Sequence, residues 1–315
     1  MLPKLSTSAT AEQLKAVHKA IKPYIHHTPV LRSQSINSIA GVELFFKCEN
    51  FQKIGAFKMR GAISSALTLS EEELKNGLAT HSSGNHAQAV AKTSQLLGVP
   101  AYIVMPNNAP AIKKKAVIGY GASVIDCEPT TVDREATLES VVQKTGAYFI
   151  HPYNDYNVIA GQATASLELV EEISDLDVVM APIGGGGLMS GTALVVKYFL
   201  PQAKAIGSEP KEVDDAYQSL KAGYIIENKT TNTIADGLRT TIRDKTFGIL
   251  QEHNTEVILV SEPEIISAMR LIWERMKIIV EPSCAVPLAA VLQQKERFKA
   301  KRIGIVLTGG NVDLE

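Results

Sequence analysis

Cysteine is scarce: three residues, Cys48, Cys127 and Cys284, stand far apart in a chain of 315. An odd number with no CxxC pair supports neither a disulfide framework nor a redox pair, so buried free thiols are expected. An excess of either charge is missing too, since 32 Lys and Arg against 33 Asp and Glu leave a formal net charge of −1. That removes the phosphate-neutralising surplus of a nucleic-acid binder. No apolar run approaches the ~18 residues that cross a bilayer, and the opening MLPKLSTSATAEQ lacks the apolar core of a signal peptide. Neither nucleic acid nor membrane is expected as a partner, and the chain is expected in the cytoplasm. The 45% hydrophobic and 21% charged fractions then point to an α/β enzyme long enough for two packed units.

Repeats, low-complexity tracts and Pro/Gly-rich linkers are also absent. What recurs instead is a series of short Val- and Ile-rich runs at 42–46, 101–105, 123–125, 148–150, 178–181, 205–207, 257–260 and 303–307. Each reads as a buried strand. Helical spacing fills most of the intervals, at 87–97, 112–119, 134–144, 161–173 and 188–199, so parallel sheets covered by helices on both faces are predicted. Without a linker, a second domain has to be inserted in the first. The expected division is a small domain over 75–150 and a large one from 1–74 and 151–315.

Five segments carry candidate chemistry. KCENFQKIGAFKMRGA (47–62) runs from a strand into a helix at Lys58; a lysine there is commonly a solvated charge, but apolar Phe57 and the neighbouring cation Arg60 would favour a neutral, nucleophilic amine. SSGNHAQA (82–89) opens a helix with hydroxyl, amide and glycine positions, which suits either a bound carboxylate or a plain N-cap by Ser83 or Asn85. PIGGGGLMSG (182–191) lies between strand and helix. Its glycines leave N–H groups free to wrap a terminal monophosphate, whereas a dinucleotide fingerprint would show GxGxxG and an acid roughly 20 positions on. VLTGGNVD (306–313) ends a strand in Thr308, whose hydroxyl could face a ring nitrogen or merely satisfy backbone. SEPKEVDD (208–215) sets Glu209 and Asp215 near each other, as an acidic helix start or as hard ligands for Mg²⁺ or Ca²⁺.

In this order, from HHTPVLRS (26–33) to the final LTGGNVDL, the segments resemble the fold-type II (tryptophan synthase β-like) pyridoxal-phosphate enzymes. Within that class the chain is similar to the serine racemase, threonine/serine dehydratase and threo-3-hydroxyaspartate dehydratase group. The resemblance implies that Lys58 holds pyridoxal 5'-phosphate (PLP) as an imine, that Phe57 packs on the pyridine ring, that Gly184, Gly185, Gly186 and Gly187 cup the phosphate, that Asn85 meets the ring hydroxyl and that Thr308 faces the ring nitrogen. Ser83 would be the acid/base opposite Lys58, and Ser82, Ser83, Asn85 and His86 would grip the substrate carboxylate. It further implies a divalent ion (Mg²⁺, or Ca²⁺ or Mn²⁺) at Glu209, Asp215 and the Val213 carbonyl. ATP as an effector at Lys53, Gln88, Tyr120, Lys277 and Asn311, and a homodimer, complete the implied picture. Ala87, Tyr153 and Thr308 depart from the mammalian racemases, which leaves the substrate open.

The activity so implied is α,β-elimination from small β-hydroxy amino acids to a keto acid and ammonia, joined by racemisation where Ser83 returns a proton before the hydroxyl leaves. Two alternatives stand beside it: β-replacement of the cysteine synthase kind, and a non-enzymatic nucleotide-binding regulatory module.

Overall fold

The computed structural model describes residues 1–109 and 111–313. Among the described residues ten strands form two sheets: β1 (Val30–Leu31), β2 (Glu43–Cys48), β3 (Leu78–His81), β4 (Ala101–Pro106), β5 (Ser123–Cys127), β6 (Tyr148–Phe149), β7 (Val178–Pro182), β8 (Lys204–Pro210), β9 (Glu256–Val260) and β10 (Arg302–Leu307). The larger sheet has the order β1-β2-β10-β7-β8-β9, parallel except for β1, and the smaller has the order β5-β4-β3-β6 and is parallel throughout. Every strand of the smaller sheet lies between residues 78 and 149. Strands of this kind are buried on both faces and read as continuous apolar runs, as Val178–Pro182 does.

Chain order and spatial order differ where it matters. The last strand, β10, lies between β2 and β7, with Ile305 opposite both Phe46 and Met180. The loops leaving the carboxyl ends of β2, β10 and β7 are therefore neighbours, and they are the loops that carry Lys58, Thr308 and the four glycines. Ligands of open α/β sheets bind at such a place. The loops leaving β3 and β6, which are paired in the smaller sheet, contribute Ser82–Asn85 and His151–Tyr153.

Eight of the strands fall on the apolar runs of the sequence. The two that do not, β1 and β3, have a physical reason: one spans two residues, and the other, Leu-Ala-Thr-His, has neither Val nor Ile. Yet β3 is central in the smaller sheet, paired to β4 and β6, and its Thr80 hydroxyl donates to the Ile150 carbonyl. Tertiary pairing overrides weak local preference here.

The helix Lys58–Ala66 packs against Tyr156–Glu172, and that helix in turn against Gly187–Phe199. The first contact is backbone on backbone: a methyl on Gly161 would strike the Arg60 carbonyl and approach Ser64 Cβ to 2.6 Å. Alanine normally gains about 1 kcal/mol over glycine inside a helix, but overpacking against an unyielding backbone costs about 1–3 kcal/mol. The clash should win. Gly161→Ala is expected to lower stability by about 1–2 kcal/mol, measured as a reduced urea midpoint at unchanged slope; equal or higher stability would contradict the close approach.

Candidate active site

Lys58 is the first residue of its helix, after Phe57 and a backbone bridge between Ala56 and Gly309. Its Nζ donates to the Pro152 carbonyl at 2.8 Å and lies 5.2 Å from the centre of the Phe57 ring. Burial lowers the amine from 10.5 to about 8, against the opposing pull of the Glu281 carboxylate. Arg60 plays no part in that shift, contrary to the expectation from its place in the sequence. Two residues along a helix point to nearly opposite sides, and the Arg60 guanidinium is bonded to Glu49 and Glu168.

The glycine loop follows β7 directly. Gly186, at φ 85°, is the left-handed residue that starts the helix Gly187–Phe199, and no side chain caps that helix, so its first amides remain free to bind an anion. Space around the loop is closed by other segments. A methyl on Gly185 would enter the Tyr153 ring; one on Gly184 would come within 2.9 Å of the Gly237 carbonyl, and one on Gly186 within 2.9 Å of Thr246 Cβ. This is a cradle that only glycine permits.

Thr308 directly follows β10, and its carbonyl accepts the Phe57 amide at 3.0 Å. Its hydroxyl is buried and has no hydrogen-bond partner among the described residues beyond a weak interaction with the Cys284 thiol. A buried hydroxyl left in this state asks for a partner, and a ring nitrogen would serve. Lys58, the cradle and Thr308 together fit a phosphorylated pyridine.

The SSGNH loop is not the simple N-cap allowed by its composition: Gly84 holds the cap position and no side chain bonds the first turn of Asn85–Leu97. Ser82 Oγ accepts the Gly84 amide at 3.2 Å, whereas Ser83 stays partly exposed. Asn85 donates to both oxygens of Glu281 at 3.0 Å and accepts from Asn311 at 2.8 Å. His86 is turned to the smaller sheet, its Nε2 on the Ile150 carbonyl at 2.9 Å, and burial holds its pKa well below the ordinary value.

Glu209 and Asp215 flank one turn, and both are buried. Glu209 accepts the Ala216 and Tyr217 amides at 3.2 and 2.9 Å, while Asp215 accepts the Asn228 side chain at 2.6 Å and the Ile242 amide at 2.8 Å. So Glu209 does cap a helix, though from across the turn. Burial and then Asp215 raise the Glu209 pKa well above its usual range, and burial raises Asp215 to about 7. Val213 is buried between them in sequence. Among the described residues no cluster of three or more His, Cys, Asp or Glu side chains forms a metal site; two carboxylates and a carbonyl are what this turn offers.

Of the five nucleotide candidates, Lys53 sits in the turn Lys53–Gly55, Gln88 is buried in the helix after the SSGNH loop, and Tyr120 lies beneath the Lys92 ammonium. Lys277 is exposed in a left-handed conformation at φ 60°. Asn311 bonds the Ile54 carbonyl at 2.7 Å as well as Asn85. Among the described residues no hydrogen bond links any two of the five.

Three contributors escaped the sequence reading. Glu281 is bonded by Asn85 and acts on Lys58 only through space; its pKa is raised to about 7 by burial, partly offset by Asn85. Its signal was an acid at the head of a proline-initiated helix, in IVEPSC. The Pro152 carbonyl carries no sequence signal at all. His151 accepts the Tyr153 and Asn154 amides on Nδ1 at 3.2 and 2.9 Å, which fixes its tautomer with the proton on Nε2, and burial lowers its pKa to about 3.

Residues 21–309 match the family described as "Pyridoxal-phosphate dependent enzyme". The chain is 48% identical over 306 residues to a beta-hydroxyaspartate dehydratase of Paracoccus denitrificans, covering 97% of each. Its fold matches the crystal structure of a Dictyostelium discoideum serine racemase with TM-score 0.92 at 49% identity (97% of this chain, 99% of that one). It also matches the crystal structure of a threonine deaminase from T.th. with TM-score 0.93 at 42% identity (98% and 100%). A family match over residues 21–309, with relatives and solved structures matched over nearly all of the chain, makes this chain a member of the pyridoxal-phosphate-dependent enzyme family.

Proposed function

We propose that the protein is an ammonia-lyase that eliminates water from small β-hydroxy amino acids such as serine, threonine or threo-3-hydroxyaspartate, yielding a keto acid and ammonia, with serine racemisation as a second outcome. The observation that carries this reading is the buried Thr308 hydroxyl, which among the described residues meets only the Cys284 thiol. PLP held here by Lys58, the glycine loop and Thr308 would supply electron withdrawal from the bonds at the substrate's α carbon, and Thr308 would offer its ring a hydroxyl in place of a carboxylate. Lys58 Nζ, lowered towards neutrality, takes the α proton. The Ser83 hydroxyl, on the loop after β3, gives or takes a proton at the other face. Free first-turn amides of Asn85–Leu97, with Ser82 and Asn85, bind the substrate carboxylate, and the His86 and Glu281 contacts hold that loop in place.

The same proposal covers the assembly around the site: residues 75–150 close as a small domain over the remainder, two copies associate, and Mg²⁺ (or Ca²⁺ or Mn²⁺) binds at Glu209, Asp215 and the Val213 carbonyl. A divalent cation would relieve two buried carboxylates of their mutual repulsion. An ATP effect through Lys53, Gln88, Tyr120, Lys277 and Asn311 rests on resemblance alone. Cytoplasmic residence is part of the reading as well; among the described residues no helix is long and apolar enough to cross a membrane.

The decisive experiment incubates the loaded protein with L-serine, D-serine, L-threonine and threo-3-hydroxyaspartate, measuring keto acid and enantiomer. Lys58→Ala should lose the cofactor's visible band and all turnover, while Ser83→Ala should lose enantiomer exchange and retain part of the elimination from the L-substrate. Keto acid formed at the wild-type rate by Lys58→Ala would end the proposal. A second outcome follows from the Lys58 pKa: the rate at which PLP attaches to the cofactor-free chain should climb with pH to about 8 and level off, because the free amine is the attacking form. A rate still climbing steeply toward 10.5 would mean an unshifted lysine. For the ion, the sign runs through Asp215, whose folded pKa is raised from 3.8 to about 7. Without cation its contribution to stability is present at low pH and is lost between those values as pH rises. Mg²⁺ or Ca²⁺, needing the deprotonated pair, should therefore raise the melting temperature more at about pH 8 than at about pH 6, and chelator should reverse it. Glu209→Ala should abolish the response; a melting temperature indifferent to ion and chelator would exclude a site there.

A further inference from the structure

Two residues beyond Lys58, the Arg60 side chain is fully buried, and so are Lys47 and Glu49, with Glu168 2% exposed. All five N–H bonds of the guanidinium are spent. Nε and Nη2 donate to Glu49 at 2.7 and 2.8 Å; Nη1 and Nη2 donate to Glu168 at 2.8 Å each; the second Nη1 proton meets the Thr164 hydroxyl at 3.1 Å. Lys47 Nζ bonds Glu168 at 2.6 Å and the Thr28 carbonyl at 2.6 Å, and the Thr28 hydroxyl donates to Glu49. His18 and His27 meet Glu168 from the solvent side, at 3.0 and 3.5 Å.

We infer that Arg60 is the positioning residue for the Lys58 amine: its doubly bidentate fork fixes the rotation of the helix Lys58–Ala66 against the helix Tyr156–Glu172 and so aims Nζ. The inference rests on the reading of Lys58 as the cofactor-bearing lysine. Two positions along a helix differ by about 200° of rotation, so Arg60 grips the back of the turn whose front presents Lys58. A lysine Nζ stands roughly 8 Å from the helix axis, so that a 10° roll would displace it by about 1.4 Å. Displacements of about 1 Å can cost about 100-fold in rate. The other end of the Lys58 hydrogen bond is referenced to the same fork, because Pro152 leads into the helix that carries Thr164 and Glu168. Glu49 holds the third side, at the head of the segment that reaches Gly55, where the Gly310 amide donates to the Gly55 carbonyl at 3.0 Å.

Stability alone would not select this cluster. Buried ion pairs commonly break even against apolar residues of similar volume, and Lys58–Ala66 already meets its neighbour through Gly61 and Gly161. What a planar five-donor fork adds, and a packed Leu does not, is a fixed angle. With two cations and two carboxylates the cluster is also neutral, and Arg60 does not act on the Lys58 pKa.

The test compares the PLP-loaded wild type with Arg60→Lys, which keeps the charge and loses the fork, and with Thr164→Val, which removes one acceptor and no charge. Visible dichroism of the bound cofactor, kcat and KM for the best hydroxy amino acid, and the urea midpoint are measured on each. The expected result for Arg60→Lys is an altered dichroic band and a kcat about 100-fold lower, with KM within about threefold; Thr164→Val should move the same readouts in the same direction by less. Should Arg60→Lys not fold, Thr164→Val decides. Variants that lose stability but keep wild-type dichroism and kcat would overturn the assignment and leave Arg60 as scaffold. A wild type that takes up no PLP would instead overturn the reading of Lys58, and this inference with it.

Discussion

A buried amine beside a buried carboxylate ordinarily pairs with it and stays charged, and this site is arranged so that they do not pair. Lys58 spends its hydrogen bond on the neutral Pro152 carbonyl, while Glu281 spends both oxygens on the Asn85 carboxamide. Glu281 still pulls on Lys58 through space, but less strongly than burial pushes the other way. The amine is left near about 8 rather than locked as an ammonium, and Glu281 itself is raised to about 7. A tight ion pair would have held the amine as an ammonium. Each remaining feature serves this separation: Asn311 orients Asn85, the Ala56–Gly309 bridge brings β10 to the lysine loop, and Gly309 leaves room for the Glu281 carboxylate, which a methyl would approach to 2.9 Å.

The glycine cradle depends on a longer chain of contacts. Its far wall is the segment 237–246, packed so closely that Gly184 and Gly186 tolerate no side chain. Asp215 holds that segment through the Ile242 amide, and Tyr153 fastens it from the opposite side through a 2.9 Å bond to the Thr241 carbonyl. One backbone hydrogen bond thus links the Glu209–Asp215 turn to the wall of the glycine loop. Tyr153 also covers Gly185 with its ring and helps to fix His151 with its backbone amide. A smaller side chain at 153 would open the wall of the cradle.

The segments between strand and helix were legible because glycine, lysine and hydroxyl residues there break the apolar periodicity in ways that only special backbone or chemistry requires. Gly186 at positive φ and the free helix start behind it are such a case. β3 was illegible because its place is set by pairing with β4 and β6 and not by its own residues. Pro152 was illegible for a stricter reason: a carbonyl has no letter in the sequence. Glu281 lay in between, an acid whose importance comes from Lys58 and from Asn85, which stands 196 positions away in the chain.

Arg60 shows how the same sequence distance can mislead. A cation two places from a lysine should depress its pKa if the two side chains meet, yet on a helix they diverge, and two carboxylates cancel the guanidinium besides. The depression comes from elsewhere. Burial supplies it, against the opposing pull of Glu281. Arg60 could not have supplied it without cost: a bare guanidinium buried close enough to repel the ammonium would demand its own desolvation. Neutralising it within the core leaves its geometry available and its charge silent, so that orientation of Lys58 and acidity of Lys58 are set by different residues and can vary independently.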